Sequence, residues 1–190
     1  MKNASYVYTT GFFITSNFDA LIMAGEFCAE HGIPFGFNLS AEFLIQFFTE
    51  QVVKAIELAD YVFCNEDELK CIAEKFEETD IMEHIAKMKK VGADKKPIRV
   101  VISTQGPCAT RIATMDHALY QCEYHTVEVP KLDSEKIIDT NGAGDAFVGG
   151  FYAALLNGKE VDQAVEAGNK LAACVVQNSG CKFEGWNVEE

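Results

Sequence analysis

The sequence is poor in basic residues and contains no long apolar run, and each shortage excludes a class of partner. Its 16 lysines and arginines stand against 29 aspartates and glutamates, which gives a formal net charge of −13 at pH 7. A chain of that charge repels phosphate backbones and anionic lipids, so we expect neither nucleic acid nor a membrane surface as a partner. No stretch approaches the roughly 20 apolar residues that span a bilayer, and the first residues lack the charged-then-apolar order of a signal peptide.

Cysteine is present, but without the spacings that bind metal or build a disulfide framework. No two cysteines form a C-x-x-C pair, their number is odd, and no histidine cluster accompanies them. This pattern is typical of reduced thiols and predicts a cytoplasmic protein without a zinc site. The seven are Cys28, Cys64, Cys71, Cys108, Cys122, Cys174 and Cys181.

The 190 residues suffice for one domain with a sizeable core, and strand-like runs alternate with helical patterns. We therefore predict a single α/β domain over residues 1–190, with a mostly parallel sheet between helices on both faces, a three-layer α/β/α arrangement. Ligands of such sheets bind beyond the carboxyl ends of the strands. The predicted strands are 5–9, 33–38, 60–64 and 99–103, followed by antiparallel runs at 109–114, 118–124 and 126–129. The predicted helices are 18–31 after Ser16-Asn17, 43–58 with Ser40 as N-cap, 65–76, 81–90, 142–156 and 161–177.

One stretch, Asp139-Thr140-Asn141-Gly142-Ala143-Gly144-Asp145, places two glycines and two aspartates directly before a helix of small and apolar residues. Gly142 and Gly144 let the backbone approach a ligand closely, and glycine tolerates a positive φ. The first N–H groups of the helix lack intrahelical partners and lie at the positive end of its dipole, so the stretch predicts a phosphate site. Asp145, in the first turn, could accept the proton of a hydroxyl that attacks the phosphate.

A simpler alternative is that Asp139 or Asn141 caps the helix and that Asp145 complements its dipole. That alternative leaves the two glycines and the small-residue helix unexplained, so we favour the phosphate site. The stretch is not a Walker A loop, because no Lys-Ser/Thr pair follows the glycines, and it is not a Gly-x-Gly-x-x-Gly motif.

Three other groups of residues carry weaker signals. Asn65 and Glu68 directly follow the strand 60–64 and share one helix face, where an amide and a carboxylate can orient Mg²⁺-bound water around phosphates; the same spacing also forms a plain capping box. Thr104-Gln105-Gly106 follows the strongest predicted strand and by itself indicates only a turn. The last helix, which contains Asn169, has one face of small residues, as is usual where helices pack closely.

The stretch 139–145 resembles the Asp-Thr-x-Gly-Ala-Gly-Asp signature of the ribokinase-like (PfkB) carbohydrate and purine kinases. Asn65 and Glu68 are similar to the Asn-x-x-Glu motif of the same family. Within the family, the resemblance is strongest to the adenosine kinases and covers essentially the whole chain. The stretches that carry it, in the same order and with similar spacing, are 11–15, 37–43, 63–68, 104–106 and 137–150.

The resemblance implies that ATP, with Mg²⁺, phosphorylates the 5′-hydroxyl of adenosine to give AMP and ADP, a step of purine salvage. It implies Asp145 as the catalytic base. The amides of Gly142, Ala143 and Gly144 would form the anion hole.

The resemblance also assigns the remaining ligand contacts. Asn65 and Glu68 would serve Mg²⁺ and the phosphates, Glu68 through water. The nucleoside would contact Phe12, Asn38 and Phe43; the residues by themselves favour ordinary core for both phenylalanines, although a phenylalanine face can stack on a purine. The nucleotide would contact Thr104, Gly106 and Asn169.

Two departures from the family leave alternatives open. Glu42 stands where the family usually has proline, which affects the loop that holds Phe43. The chain also has roughly half the length usual in the family, so we expect a C-terminal half that lacks the N-terminal lid, the first strands and most sugar-binding residues. It is then either part of an adenosine kinase, a catalytically impaired fragment that only binds nucleotide, or part of another ribokinase-like nucleoside or sugar kinase. For the complete protein we expect a monomer in the cytoplasm, with the nucleus as a second compartment.

Overall fold

The computed structural model describes Met1 and residues 3–183. Among these residues six strands form one sheet in the order of the chain. β1 pairs with β2, and β2 with β3, in parallel, which confirms the parallel part of the predicted sheet. Only two residues connect β4 to β5, and a connection that short joins antiparallel neighbours. The strands are β1 (Val7–Thr10), β2 (Phe35–Asn38), β3 (Tyr61–Asn65), β4 (Ile98–Gln105), β5 (Cys108–Asp116) and β6 (Gln121–Val127).

Helices connect the first four strands, and two further helices follow the last strand. The described part of the chain contains α1 (Phe13–His31), α2 (Glu42–Phe47), α3 (Thr49–Leu58), α4 (Glu66–Phe76), α5 (Ile81–Lys87), α6 (Ala143–Leu156) and α7 (Val161–Val175), and a 3₁₀ turn, Ser134–Lys136. None of the helices among these residues is both long and apolar enough to cross a membrane.

The start of α1 confirms the predicted helix start after Ser16-Asn17, although one turn precedes it. Asn17 has non-helical angles (φ −162°, ψ 84°) and interrupts the helix. Its side-chain oxygen accepts a hydrogen bond from the N–H of Ala20 at 3.0 Å, as an N-cap residue does. The main body of α1 therefore starts where the side-chain chemistry of asparagine predicts.

The predicted helix 43–58 is wrong as one element, and so is its predicted cap. Phe48 adopts φ −126°, ψ 36° and divides the segment into α2 and α3. Ser40 is not the N-cap; Ala41 occupies that position without a side-chain hydrogen bond. Ser40 instead has a φ of 66°, and its hydroxyl accepts a hydrogen bond from the N–H of Gly11 at 2.9 Å.

The antiparallel region has two strands where three were predicted. The segment 118–120 is a turn, in which the N–H groups of Ala118 and Leu119 donate to the carboxylate of Asp116. The runs predicted at 118–124 and 126–129 are joined in the single strand β6, because no turn separates them. Helices α5 and α7 also end earlier than predicted, at Lys87 and Val175.

The chain divides into two compact units. The first consists of Met1–Ser103 and Arg111–His125, and the second of Thr104–Thr110 and Thr126–Glu190. Strands β4, β5 and β6 contribute residues to both units, so the single domain of residues 1–190 stays a prediction. The core of the first unit includes the buried side chains Phe35, Phe37, Leu39, Leu44, Ile45, Ile56, Val62, Ile72, Ile85 and Val101.

In the second unit, α6 and α7 pack closely because glycine stands at the contact on both helices. A Cβ added at Gly150 would lie 2.8 Å from the carbonyl oxygen of Ala167. One added at Gly168 would lie 2.7 Å from the carbonyl oxygen of Phe147. The close packing predicted from the small residues of the last helix is thus confirmed.

Candidate functional site

The turn before α6 has the backbone conformation that the glycine pattern predicts. Gly142 is the N-cap residue with φ 78° and ψ 0°, in the left-handed region that glycine adopts without strain. Among residues 3–183 no side chain caps α6, so the alternative that Asp139 or Asn141 caps this helix is wrong. The first intrahelical bond runs from the N–H of Ala146 to the carbonyl of Gly142 at 2.8 Å, and the amides before it precede the helical ladder.

Among the three amides predicted as an anion hole, that of Ala143 makes a long bond of 3.3 Å to the carbonyl of Thr140. Gly144 is exposed, and a Cβ added to it would meet no atom of the described part of the chain within 4 Å. Asp145 is also exposed and lies in the first turn of α6. The start of α6 therefore presents N–H groups, a positive dipole end and a carboxylate to solvent, which suits an anion next to a proton acceptor.

Asp139 connects this turn to the segment that follows α7. One carboxylate oxygen accepts from the N–H of Asn141 at 2.9 Å, and the other accepts from the N–H of Gly180 at 3.3 Å. These two bonds, the first above all, hold the pKa of Asp139 below its usual range. Cys181 lies against the same turn, because a Cβ added to Gly142 would collide with its sulfur. The sequence carries no signal for this contact, since it joins residues about forty positions apart.

Asn65 and Glu68 form a complete capping box at the start of α4. The N–H of Glu68 donates to the side-chain oxygen of Asn65 at 2.8 Å, and the N–H of Asn65 donates to the Glu68 carboxylate at 3.0 Å. The side-chain amide of Asn65 donates to the other carboxylate oxygen at 3.0 Å. Asn65 is exposed and Glu68 is 5% exposed. Burial raises the pKa of Glu68, against the bond from Asn65, which lowers it.

The three residues predicted to contact a nucleoside lie at the ends of elements of the first unit: Phe12 just before α1, Asn38 at the end of β2 and Phe43 in the first turn of α2. The rings of Phe12 and Phe43 have centroids 6.2 Å apart at an angle of 40°, and they are 50% and 43% exposed. They are therefore not core residues. The side-chain oxygen of Asn38, at the end of β2, accepts from the N–H of Ser40 at 2.9 Å. Ser40 in turn accepts from Gly11, which fixes the loop that carries Phe12.

The two nucleotide contacts predicted in the loop after the strongest strand lie where that strand ends. Thr104 is a half-buried residue of β4, and Gly106 is exposed in the turn between β4 and β5 with φ 55°. The predicted turn at 104–106 is thus only partly confirmed, because β4 continues through Thr104 and Gln105 and the turn consists of Gly106 and Pro107. The contact with nucleotide stays a prediction.

Asn169 lies in α7 with its side chain buried and hydrogen-bonded. Its side-chain oxygen accepts from the hydroxyl of Thr110 at 2.8 Å, and its amide donates to the carbonyl of Glu128 at 3.3 Å. The residue is 4% exposed, and its two hydrogen bonds link α7 to Thr110 and Glu128. Its predicted contact with nucleotide stays a prediction.

Comparison with known proteins places the chain in a family. Residues 1–187 match the pfkB family of carbohydrate kinases. The chain is 37% identical over 183 residues to an adenosine kinase of Schizosaccharomyces pombe, a match that covers 95% of this chain and 52% of that protein. It is 36% identical over 185 residues to an adenosine kinase of Dictyostelium discoideum, with 95% and 52% covered.

Solved structures agree with the sequence comparison. The adenosine kinase of Anopheles gambiae in complex with P1,P4-di(adenosine-5) tetraphosphate superposes with a TM-score of 0.86 at 36% identity, over 97% of this chain and 54% of that one. The adenosine kinase of Schistosoma mansoni in complex with 2-fluoroadenosine superposes with a TM-score of 0.85 at 32% identity, over 99% of this chain and 54% of that one. The chain spans about half the length of the relatives it matches. Its sheet and helices have the ribokinase-like fold, and the chain belongs to the pfkB family of carbohydrate kinases.

Proposed function

We propose that this chain carries the phosphoryl-transfer half of an adenosine kinase, which phosphorylates the 5′-hydroxyl of adenosine with ATP. The observation that carries the proposal is the start of α6. There, left-handed Gly142 opens a helix that no side chain of the described residues caps, and exposed Asp145 lies in its first turn. The similarity to adenosine kinases at 33–37% identity supports the choice of reaction.

In the proposed reaction Asp145 removes the proton from the 5′-hydroxyl as its oxygen attacks the γ-phosphorus. The new P–O bond gives AMP, and the bond between the γ-phosphorus and the β–γ bridging oxygen breaks to release ADP. The amides of Gly142, Ala143 and Gly144 donate to the transferring phosphoryl oxygens, whose charge they stabilise. No group of three or more histidine, cysteine or acidic side chains in the described part of the chain could hold a metal ion directly.

The donor set at the start of α4 fits Mg²⁺ held through water. Glu68 and Asn65 offer one carboxylate and one amide, and each carboxylate oxygen already accepts a bond from Asn65. Their remaining lone pairs can accept from metal-bound water but do not make an inner coordination sphere. When bound, the ion would neutralise charge that develops on the ATP phosphates.

Adenosine is favoured over a bare sugar by the exposed Phe12 and Phe43. Two tilted phenylalanine rings with centroids 6.2 Å apart present apolar faces suited to a flat purine. A sugar site would need polar contacts in their place. A panel of adenosine, other nucleosides, ribose and fructose would distinguish this proposal from another ribokinase-like kinase.

The test is ADP release by the purified chain with ATP, Mg²⁺ and adenosine, beside its Asp145→Asn variant. The variant removes the base and keeps the backbone amides, so we expect turnover to fall by about 10²-fold or more while ATP binding stays nearly unchanged. ATP binding without turnover in either chain would support the alternative of a fragment that only binds nucleotide. Equal turnover in both chains would contradict the role of Asp145.

The complete protein is further proposed to be a cytoplasmic monomer that also enters the nucleus. Native mass measurement and cell fractionation test both parts.

A further inference from the structure

The segment after α7 is tied to the turn that opens α6 by contacts from several residues. The N–H groups of Ile138 and Asp139 donate to the carbonyl of Val176 at 2.8 and 3.2 Å. The carboxylate of Asp139 accepts from Asn141 on one side and from Gly180 on the other. We call Ile138, Asp139, Val176, Gly180 and Cys181 the clasp.

Cys181 adds a steric contact to these hydrogen bonds. Its sulfur occupies the space that a Cβ of Gly142 would fill, so the thiol packs directly on the backbone of the N-cap residue. The residue is exposed and is not part of a disulfide. The turn therefore touches the clasp at Asn141 through a hydrogen bond and at Gly142 through van der Waals contact.

We infer that the clasp positions the phosphate-binding amides, with Asp139 and Cys181 as positioning residues for phosphoryl transfer. The inference rests on the proposed function, because it assumes that a phosphoryl group binds at Gly142–Gly144. Its physical basis is that a left-handed glycine turn has few conformational restraints of its own. Contacts from a second segment restrict it, and amides fixed before the phosphate arrives need no reordering during the reaction.

The restraint is measured first in the free chain, by hydrogen exchange of individual amides with NMR. Asp139→Asn keeps the size of the side chain but replaces one acceptor oxygen with a donor. We expect exchange at Asn141 or Gly180 to accelerate about tenfold, since a bond to a carboxylate is lost. Cys181→Ala removes the thiol. We expect this substitution to shift the amide resonances of Asn141 and Gly142, which lie on the other side of the contact.

Two further variants make this result specific. Cys181→Ser keeps a side chain of similar size and should shift the Gly142 resonance less than Cys181→Ala does. Cys108→Ala changes another exposed, unpaired cysteine of the same unit and should leave the turn unchanged. Effects of Cys181→Ala confined to the residues next to it in sequence would overturn the inference, because no restraint would then cross to the turn.

Titration with Mg²⁺-ATP then separates this inference from the proposed function. We expect the Kd of ATP to rise several-fold in Asp139→Asn and Cys181→Ala, and to stay constant in Cys108→Ala. Unchanged affinity in a chain whose turn has been loosened would overturn the positioning role. Absence of ATP binding to the unsubstituted chain would overturn the proposed function, while the exchange measurement would still decide whether the clasp restrains the turn.

Discussion

Asn65 and Glu68 hold each other through three hydrogen bonds of 2.8–3.0 Å at the junction of β3 and α4. The carboxylate that the family motif assigns to Mg²⁺ is thus also the group that completes a capping box. One residue pair both starts the helix and keeps a carboxylate at the end of a parallel strand, where ligands of such sheets bind.

The first prediction concerns the stability that Glu68 contributes. Glu68→Ala leaves the N–H and the side-chain amide of Asn65 without their acceptor, so we expect the free energy of unfolding to fall by about 1–2 kcal/mol. Urea unfolding measures the change. Glu66→Ala, in the same first turn but exposed, is the matched control and should cost less than about 1 kcal/mol. Equal effects of the two substitutions would show that the capping box contributes nothing.

Arg99 contacts the ends of two helices from inside the first unit. Its guanidinium is fully buried and donates to the carbonyl of Met88 at 2.6 Å, just after α5, and to that of Ala59 at 3.1 Å, just after α3. Burial lowers its pKa to about 10, so it remains charged at neutral pH, and the negative ends of the two helix dipoles favour that charge. Its other acceptors are the carbonyls of Glu57, Ile85, Ala86 and Lys89.

We predict that Arg99→Met destabilises the chain by about 3–5 kcal/mol. The methionine fills part of the volume, but several carbonyls at the ends of α3 and α5 lose their donor in a buried place. Thermal and urea unfolding would measure the loss. Arg111→Met, an exposed arginine on β5, should change stability little. A mild effect of Arg99→Met would mean that water replaces the guanidinium.

His117 is expected to make the stability of the chain depend on pH. Burial above all, and then the charges of Arg99 and Lys90, lower its pKa, against the backbone bond to Ala86 and the charge of Asp116, which raise it. In the unfolded chain His117 has a pKa of about 6.5, and below that pH it binds a proton that it binds less readily in the folded chain. The free energy of unfolding therefore falls as the pH decreases through that value.

His117→Asn should therefore flatten the pH dependence. We expect the loss of stability between about pH 7.5 and about pH 5.5 to be smaller in the variant, with a slope difference of at most about 1.4 kcal/mol per pH unit. Urea unfolding at both pH values measures it in the two chains. Subtracting the loss of stability in the variant from that in the unsubstituted chain removes the contributions of the other histidines. Equal losses in the two chains would contradict the prediction.

The sequence predicted the fold well where side-chain chemistry acts locally. Asn17 starts the main body of α1, and Gly142 opens α6, because each residue type has its own preferred backbone conformation and hydrogen bonds. Ser40 was predicted wrongly for a physical reason: its hydroxyl bonds to Gly11, a residue 29 positions away, and not to the helix beside it. The break at Phe48 and the joining of two runs into β6 were likewise not evident from local patterns.

The candidate site was predictable in its motifs and not in its supporting contacts. Gly142 and Asp145 lie where the motif predicts, and Phe12 and Phe43 are paired and exposed, where the residues by themselves favoured core. The contact of Cys181 with the turn depends on the backbone path of a distant segment. The burial of Arg99 also had no signal, because charged side chains usually lie outside.

The last prediction uses two glycines with opposite surroundings. A Cβ at Gly168 would lie 2.7 Å from the carbonyl oxygen of Phe147 and 2.9 Å from its ring, so Gly168→Ala must separate α6 from α7. We expect it to cost about 1–3 kcal/mol despite the better helix propensity of alanine. Gly149, within α6, has open space around the position of a Cβ, so Gly149→Ala should raise stability by about 0.5–1 kcal/mol. Because both substitutions add the same methyl group to a helix, opposite signs in urea unfolding would attribute the difference to helix packing, and equal signs would contradict the close contact.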